Sequence, residues 1–316
     1  MSGAPDLSVA LGPLRLRNPV LTASGTCGYG EELAPYFDVS KLGGIVTKSL
    51  SLLPRQGNAP QRLAETPSGM INSIGLQNVG IEAFLADKLP FLQGCGAAVL
   101  VSIFGATLDE FAELAARLDG RPGVSGLELN VSCPNTLRGG VEFGVDPEST
   151  RRVTAAVRER TKLPVIVKLS PNVTDLPLIA RAALEGGADI LSLVNTFFGM
   201  KIDVAARRPG LSSGSGGLSG PAIRPMAVHL TYRLARAVRA PIIGIGGIGT
   251  ATDALEFILA GATAVQVGTA TFVDPCASAK TVAGLADYCR AHGVGRISDL
   301  VGAAHRGVAP AGGSGG

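Results

Sequence analysis

Short runs dominated by apolar residues recur along this chain at residues 20–24, 44–48, 97–104, 126–131, 165–169, 190–195, 242–246 and 264–268. Between most of them lie stretches of helical length whose apolar positions repeat every three to four residues: 108–118, 147–160, 176–185, 224–238 and 251–259. Strand-length runs alternating with such stretches predict βαβ units and a parallel sheet. Thr107, Asp146, Thr174 and Thr250 stand where helices should begin, and their side chains can accept from first-turn amides. Eight β–α steps predict an α/β fold closed as a (β/α)8 barrel. Parallel strands need covering helices, and eight of them close on themselves.

Residues 184–191 (LEGGADIL) and 259–265 (LAGATAV) share one pattern, a helix ending at glycine just before a strand. That is a repeat of barrel units, so residues 1–310 are expected to form one domain, with 311–316 (AGGSGG) a disordered tail. Residues 7–18, with a central Gly-Pro, predict an N-terminal β-hairpin that plugs the lower mouth of the barrel. Residues 49–81 and 196–221 are long connections after the second and sixth strands, the expected active-site lids.

Composition narrows the class. With 316 residues, 46% of them hydrophobic and 17% charged, the chain can bury one large core. Forty-three glycines without a three-residue period predict tight turns and close backbone approach to a ligand, not collagen. A net charge of +3 is too small to imply nucleic acid, and Arg151, Arg152, Arg158 and Arg160 read as a solvated helix face. No apolar run reaches the eighteen or so residues of a membrane span. The first residues lack the basic and apolar regions of a signal peptide, so a cytoplasmic protein with reduced thiols is expected. The five cysteines are odd in number and contain no CxxC pair, which disfavours disulfides. His229, His292 and His305 stand far from any cysteine pair, which disfavours zinc.

In a barrel of this kind chemistry sits at the carboxyl ends of the strands. Lys48 and Lys168 end apolar strands there, and a lysine so placed should face an anion or an electron-rich ring unless it snorkels to the rim. Residues 244–249 (GIGGIG) match the GxGxxG spacing, but they follow the seventh strand and no acid ends the next one. They read instead as half of a barrel phosphate site: Gly246, Gly247, Gly268 and Thr269 would cup a phosphate at a helix N-terminus. Asn72, Asn130, Asn135 and Asn195 are each ordinary turn residues, yet together they offer donors and acceptors suited to a ring such as a pyrimidine. No histidine tops a predicted strand, which argues against a Ser-His-Asp hydrolase. Cys133, in NVSCPNT at the end of the fourth strand, is a candidate base, because nearby cations or donors can bring a thiol pKa towards neutrality. Cys27 is the rival and reads as packing near the site, while Cys95, Cys276 and Cys289 read as core thiols.

NPVLTASGTCGYG, VTKSLSLLPRQGN, MINSIGLQNVG, ELNVSCPNTLRGGVEFG, VIVKLSPNV, LVNTFFGM, GGLSGPAIRPMAV and IGIGGI occur in this order over roughly residues 7–275. Together they resemble dihydroorotate dehydrogenase. The absence of an N-terminal membrane-associating helix, and cysteine where class 2 members carry serine, resemble class 1. RGGVEFG after CPN is most similar to the class 1B catalytic subunit, although CPNTL departs from the CPNVK more frequent there.

The resemblance implies an FMN enzyme of pyrimidine biosynthesis that oxidises dihydroorotate to orotate, with Cys133 taking a proton from C5 and hydride passing from C6 to the flavin. It implies substrate contacts from Lys48, Asn72, Asn130, Asn135, Asn195 and Thr196, and from the backbone of Ile74, Gly75 and Leu76. It implies FMN contacts from Ala23, Ser24, Gly25, Lys48, Ser49, Asn130, Lys168, Val194, Gly220, Gly246, Gly247, Gly268 and Thr269. Class 1B further implies a homodimer of this subunit joined to an electron-transfer subunit with FAD and a 2Fe–2S cluster, a heterotetramer that passes electrons to NAD; the alternative is a homodimer that works alone with another acceptor. This chain has no cysteine cluster of its own. The alternatives are a dihydropyrimidine dehydrogenase-like flavoprotein and, in a different class, a non-catalytic FMN-binding barrel.

Overall fold

A computed structural model of the chain describes residues 4–132, 134–135 and 141–306. The expected tail at 311–316 lies outside them. The chain opens with an antiparallel hairpin, β1 (Val9–Leu11) and β2 (Leu14–Leu16). Its turn residue Gly12, at φ +58°, lies against Asp189 and Ile190, where the sixth barrel strand begins, so the hairpin sits at the lower mouth.

The barrel strands are β3 (Val20–Thr22), β4 (Gly44–Val46), β7 (Ala98–Ile103), β8 (Gly126–Asn130), β11 (Val165–Lys168), β12 (Ile190–Leu193), β17 (Ile242–Ile245) and β18 (Ala264–Val267). They pair in parallel in chain order, and β18 closes on β3. Nearly every residue in them is buried, since one face fills the barrel interior and the other meets the helices. Each expected strand is present, shorter than its apolar run by one or two residues.

Helices cover the barrel: α1 (Gly80–Ala83) and α2 (Leu89–Gly94), joined by a π-helical segment, then α3 (Leu108–Leu118), α4 (Pro147–Arg158), α5 (Leu176–Glu185), α6 (Arg224–Ala237), α7 (Ala251–Leu259) and α8 (Ala277–Ala291). The first crossover has only a 3-10 turn at Val39–Lys41. Thr107, Asp146 and Thr250 cap their helices as expected, and Thr250 forms a capping box with Asp253. At α5 the cap is Asp175, not Thr174; its carboxylate accepts from the Leu178 amide. Pro177 at the second helical position agrees with that start.

The two long connections are not irregular lids. Residues 49–81 contain β5 (Leu63–Thr66) and β6 (Gly69–Asn72), and residues 196–221 contain β13 (Phe197–Gly199) and β16 (Gly216–Ser219). The four join as one antiparallel sheet in the order β13-β16-β6-β5. Two short hairpins complete the strands: β9 (Pro134–Asn135) with β10 (Val141–Glu142), and β14 (Ile202–Asp203) with β15 (Arg208–Pro209).

Candidate active site

The carboxyl ends of the barrel strands open into a cavity of about 600 Å³ whose far wall is the four-stranded sheet. Register decides which side chains reach it. Asn130 pairs with Lys168, and Lys168 with Ser192, so polar residues of β8, β11 and β12 come to one level.

Ala23, Ser24, Gly25, Lys48, Ser49, Asn130, Lys168, Val194, Asn195, Thr196, Gly246, Gly247, Gly268 and Thr269 line this cavity from the barrel. Asn72, Ile74, Gly75, Leu76 and Gly220 line it from the overlying segments. Cys133 lies outside the described residues. Asn135 is placed only as backbone, in β9.

Lys168 is 7% exposed, and neither its ammonium nor that of Lys48 has an acidic or hydrogen-bonding partner among the described residues. Burial and the neighbouring Lys168 ammonium hold the Lys48 ammonium below the ordinary lysine range, with Arg62 adding to the effect. Two uncompensated cations in one cavity call for an anionic or electron-rich ligand. Across the cavity, Asn195 donates to the Asn130 side-chain oxygen at 3.3 Å and accepts from the Thr196 amide at 2.9 Å. Asn72 donates to the Gly217 carbonyl at 3.2 Å, tying β6 to β16. A row of hydroxyls runs along the wall, Ser24 to Ser49 at 3.2 Å and Ser49 to Ser102 at 2.8 Å.

The glycine cup differs in one respect from expectation. The amides of Gly249 and Thr250 donate to Asp253, whose carboxylate also pairs with Arg224, so the N-terminus of α7 is already occupied. The cup is formed by Gly246 and Gly247 with the 3-10 turn Thr269–Phe272, whose first residue, Thr269, donates its hydroxyl to Ser219 at 2.8 Å. Gly247 stands at φ +70°, where a Cβ would lie 2.8 Å from the Gly220 carbonyl, so only glycine keeps this wall open. Gly75 and Leu76 are both left-handed, at φ +74° and +56°; a leucine held there is the kind of strained residue found at ligand contacts.

Four features escaped the sequence analysis. Asn172 lines the cavity and accepts from the Phe198 amide while donating to the Thr196 carbonyl, which fixes the strand-six loop. Its signal was SPN directly after a strand. Glu142 is an acid in the cavity wall. Beneath the cavity, fully buried Glu128 accepts from Ser192 at 2.9 Å and Gln266 at 2.7 Å, tying three strands together. An acid inside an otherwise apolar strand was the only hint. Finally, Cys276 is half-buried and hydrogen-bonded to the Tyr36 carbonyl, so it is not a core thiol. Cys27, Cys95 and Cys289 are buried. Burial pushes the Cys27 thiol up to about 12, which leaves it neutral and unsuited to act as a base.

The family model described as dihydroorotate dehydrogenase matches residues 6–288 of the chain. The chain is 58% identical to the dihydroorotate dehydrogenase B (NAD(+)) catalytic subunit of Pelobacter propionicus, over 95% of this chain and 98% of that protein. It is 55% identical to the protein of the same description from Geotalea uraniireducens, over 95% and 99%, and 56% identical to that from Desulforudis audaxviator, over 95% and 97%.

Proposed function

The chain belongs to the dihydroorotate dehydrogenase family, and on that premise we propose that it oxidises dihydroorotate to orotate with FMN, in the cytoplasm, as a step of pyrimidine biosynthesis. The observation that carries the reading is one cavity in which two uncompensated lysine ammoniums face three asparagine side chains and a glycine cup.

The cavity's donor set fits FMN. Gly246, Gly247, Gly268 and Thr269 would hold its phosphate, and beside them a Cβ on Gly220 would lie 2.8 Å from the Gly69 Cα, so this position also needs glycine. Lys48, Lys168, Asn130 and the wall of Ala23, Ser24, Gly25, Ser49 and Val194 would hold its ring system. When bound, FMN supplies the hydride-accepting chemistry of the reaction.

The remaining work falls to the chain's own residues. Asn72, Asn130, Asn135, Asn195 and Thr196 hold the amide groups of the substrate ring, and the backbone of Ile74, Gly75 and Leu76 holds its carboxylate. Lys168 offers a fixed positive charge where negative charge develops, which needs no reorganisation during reaction. Cys133 takes the proton from C5 as general base. The relatives' description as catalytic subunits acting with NAD(+) supports a partner. We assign that partner FAD and a 2Fe–2S cluster, in a heterotetramer built on a homodimer of this chain.

The test is anaerobic mixing of the yellow, FMN-loaded protein with dihydroorotate. Bleaching of the flavin absorbance is expected; dihydrouracil, which lacks the carboxylate, should leave it unchanged. Bleaching by dihydrouracil alone would favour the dihydropyrimidine dehydrogenase-like alternative, and a colourless protein would remove every flavin reading. Cys133→Ala should keep FMN but lose about 10²–10⁴-fold in turnover at neutral pH; turnover near wild type would show that Cys133 is not the base.

A further inference from the structure

Two asparagine side chains hold the backbone around Thr196, and their hydrogen bonds fix which way each amide points. A backbone N–H can only donate, so the Asn172 atom that meets the Phe198 amide at 3.1 Å is its oxygen. The Asn172 NH2 group therefore points the other way and donates to the Thr196 carbonyl at 3.1 Å. By the same logic the Asn195 atom that meets the Thr196 amide at 2.9 Å is its oxygen. That leaves the Asn195 NH2 group turned to the Asn130 side-chain oxygen, at 3.3 Å.

Asn172 is itself anchored. Its backbone amide and its NH2 group both meet the hydroxyl oxygen of Ser170 at 3.3 Å, and Ser170 is fully buried just past the end of β11. On its other side Thr196 packs so closely against β16 that a Cβ on Gly217 would collide with the Thr196 hydroxyl. The next residue, Phe197, already pairs with Leu218 of β16. Residues 195–198 are thus clamped between β16 and the loop that carries Asn172.

The clamp selects hydrogen-bond polarity. Asn130 and Asn195 both line the cavity, and the end of Asn195 turned towards Asn130 is its donor end. A donor there suits a ring carbonyl and rejects a ring N–H, because two donors face to face leave both unmet. Released from Asn172, the Thr196 backbone could turn, and its amide would no longer dictate how Asn195 points.

We propose that Asn172 is a positioning residue of this site: by pinning Thr196 it holds the Asn195 amide with its NH2 group towards a carbonyl oxygen of the dihydroorotate ring. This role rests on the reading of the cavity as the dihydroorotate site, and it runs through Thr196 and Asn195.

The experiment compares Asn172→Ala and Asn172→Asp with wild type, all loaded with FMN. Asn172→Asp keeps an acceptor for the Phe198 amide and loses the donor to the Thr196 carbonyl. Both variants should weaken orotate binding, followed through the flavin absorbance, by about fivefold or more, the worth of one hydrogen bond. KM for dihydroorotate should rise by a similar factor while the limiting rate of anaerobic flavin reduction stays within about twofold, as expected when binding common to ground and transition state is lost. FMN affinity should hold, which separates positioning from damage to the fold. In an Asn195→Ala background, Asn172→Ala should add less than about twofold to the orotate Kd, since a residue that acts through Asn195 has nothing left to act on. Replacing the ring carbonyl oxygens of orotate one at a time by sulfur, a weak acceptor, should cost wild type affinity at one position, and that cost should shrink in Asn172→Ala. An orotate Kd unchanged in Asn172→Ala, a parallel loss of FMN, full additivity with Asn195→Ala, or an equal sulfur cost in both proteins would each overturn the positioning role and leave the dehydrogenase reading standing. Wild type that neither binds orotate nor is reduced by dihydroorotate would remove that reading, and the role of Asn172 with it.

Discussion

Cys27 should be almost inert to alkylation in the folded protein. Its thiol is 2% exposed and donates to the Thr22 hydroxyl at 3.2 Å and the Val46 carbonyl at 3.4 Å, between β3 and β4. Burial, opposed in part by the Thr22 hydrogen bond, lifts it from 9.0 to about 12. At pH 8 its thiolate fraction is then roughly 10⁻⁴ against roughly 10⁻¹ for an ordinary thiol, a slowing of about a thousandfold before steric exclusion is counted, because the thiolate is the nucleophile. The same shift has a consequence for stability. A group whose folded pKa is raised contributes stability that is complete below its unfolded value and is lost as pH rises through the folded one. For Cys27 the window runs from pH 9 to about 12, and three units at about 1.4 kcal/mol each set a ceiling near 4 kcal/mol. The assay is a time course of iodoacetamide labelling at pH 8, native and in urea, with the modified peptides identified by mass. Cys27 should label only in urea, and Cys27→Ala should retain most of the wild-type turnover. Labelling of native Cys27 at a rate close to that in urea would refute the burial argument.

Two further outcomes test the scaffold of the site. Gly247→Ala places a Cβ 2.7 Å from the Arg224 Cβ and 2.8 Å from the Gly220 carbonyl. Affinity for FMN should fall at least about tenfold, given that a strained backbone position costs on the order of 1–3 kcal/mol, as read by flavin fluorescence on titration. Glu128→Leu removes the acceptor of both Ser192 and Gln266 in a fully buried layer. It should lower stability by about 2–6 kcal/mol, since each of the two buried donors left unmet costs roughly 1–3 kcal/mol, and the urea midpoint reads this with the slope unchanged.

The barrel itself was legible because strand and helix periodicity depend on near neighbours. The run from Val165 to Val167 is apolar on both faces, and Thr107, Asp146 and Thr250 mark helix starts through contacts three residues away. Even the slip from Thr174 to Asp175 is a shift of one residue between two capable caps. The cavity-lining asparagines Asn72, Asn130 and Asn195 were singled out through family motifs, for no spacing rule joins Asn72 to Asn195.

What the local pattern could not carry was pairing across long separations. β6 and β16 look like loops because their sequences lack alternation; besides their local partners β5 and β13 they pair with each other, 145 residues apart at the Asn72–Gly217 contact. Glu128 and Gln266 are 138 residues apart, and nothing near either one says that they share a hydrogen bond. The alternating strands, their order and the residues at their ends follow from the sequence alone, because sterics and burial act locally. That Lys48, Lys168 and Glu142 face one cavity, while Cys27 is sealed away from it, was decided only when the barrel closed and brought distant strands into register.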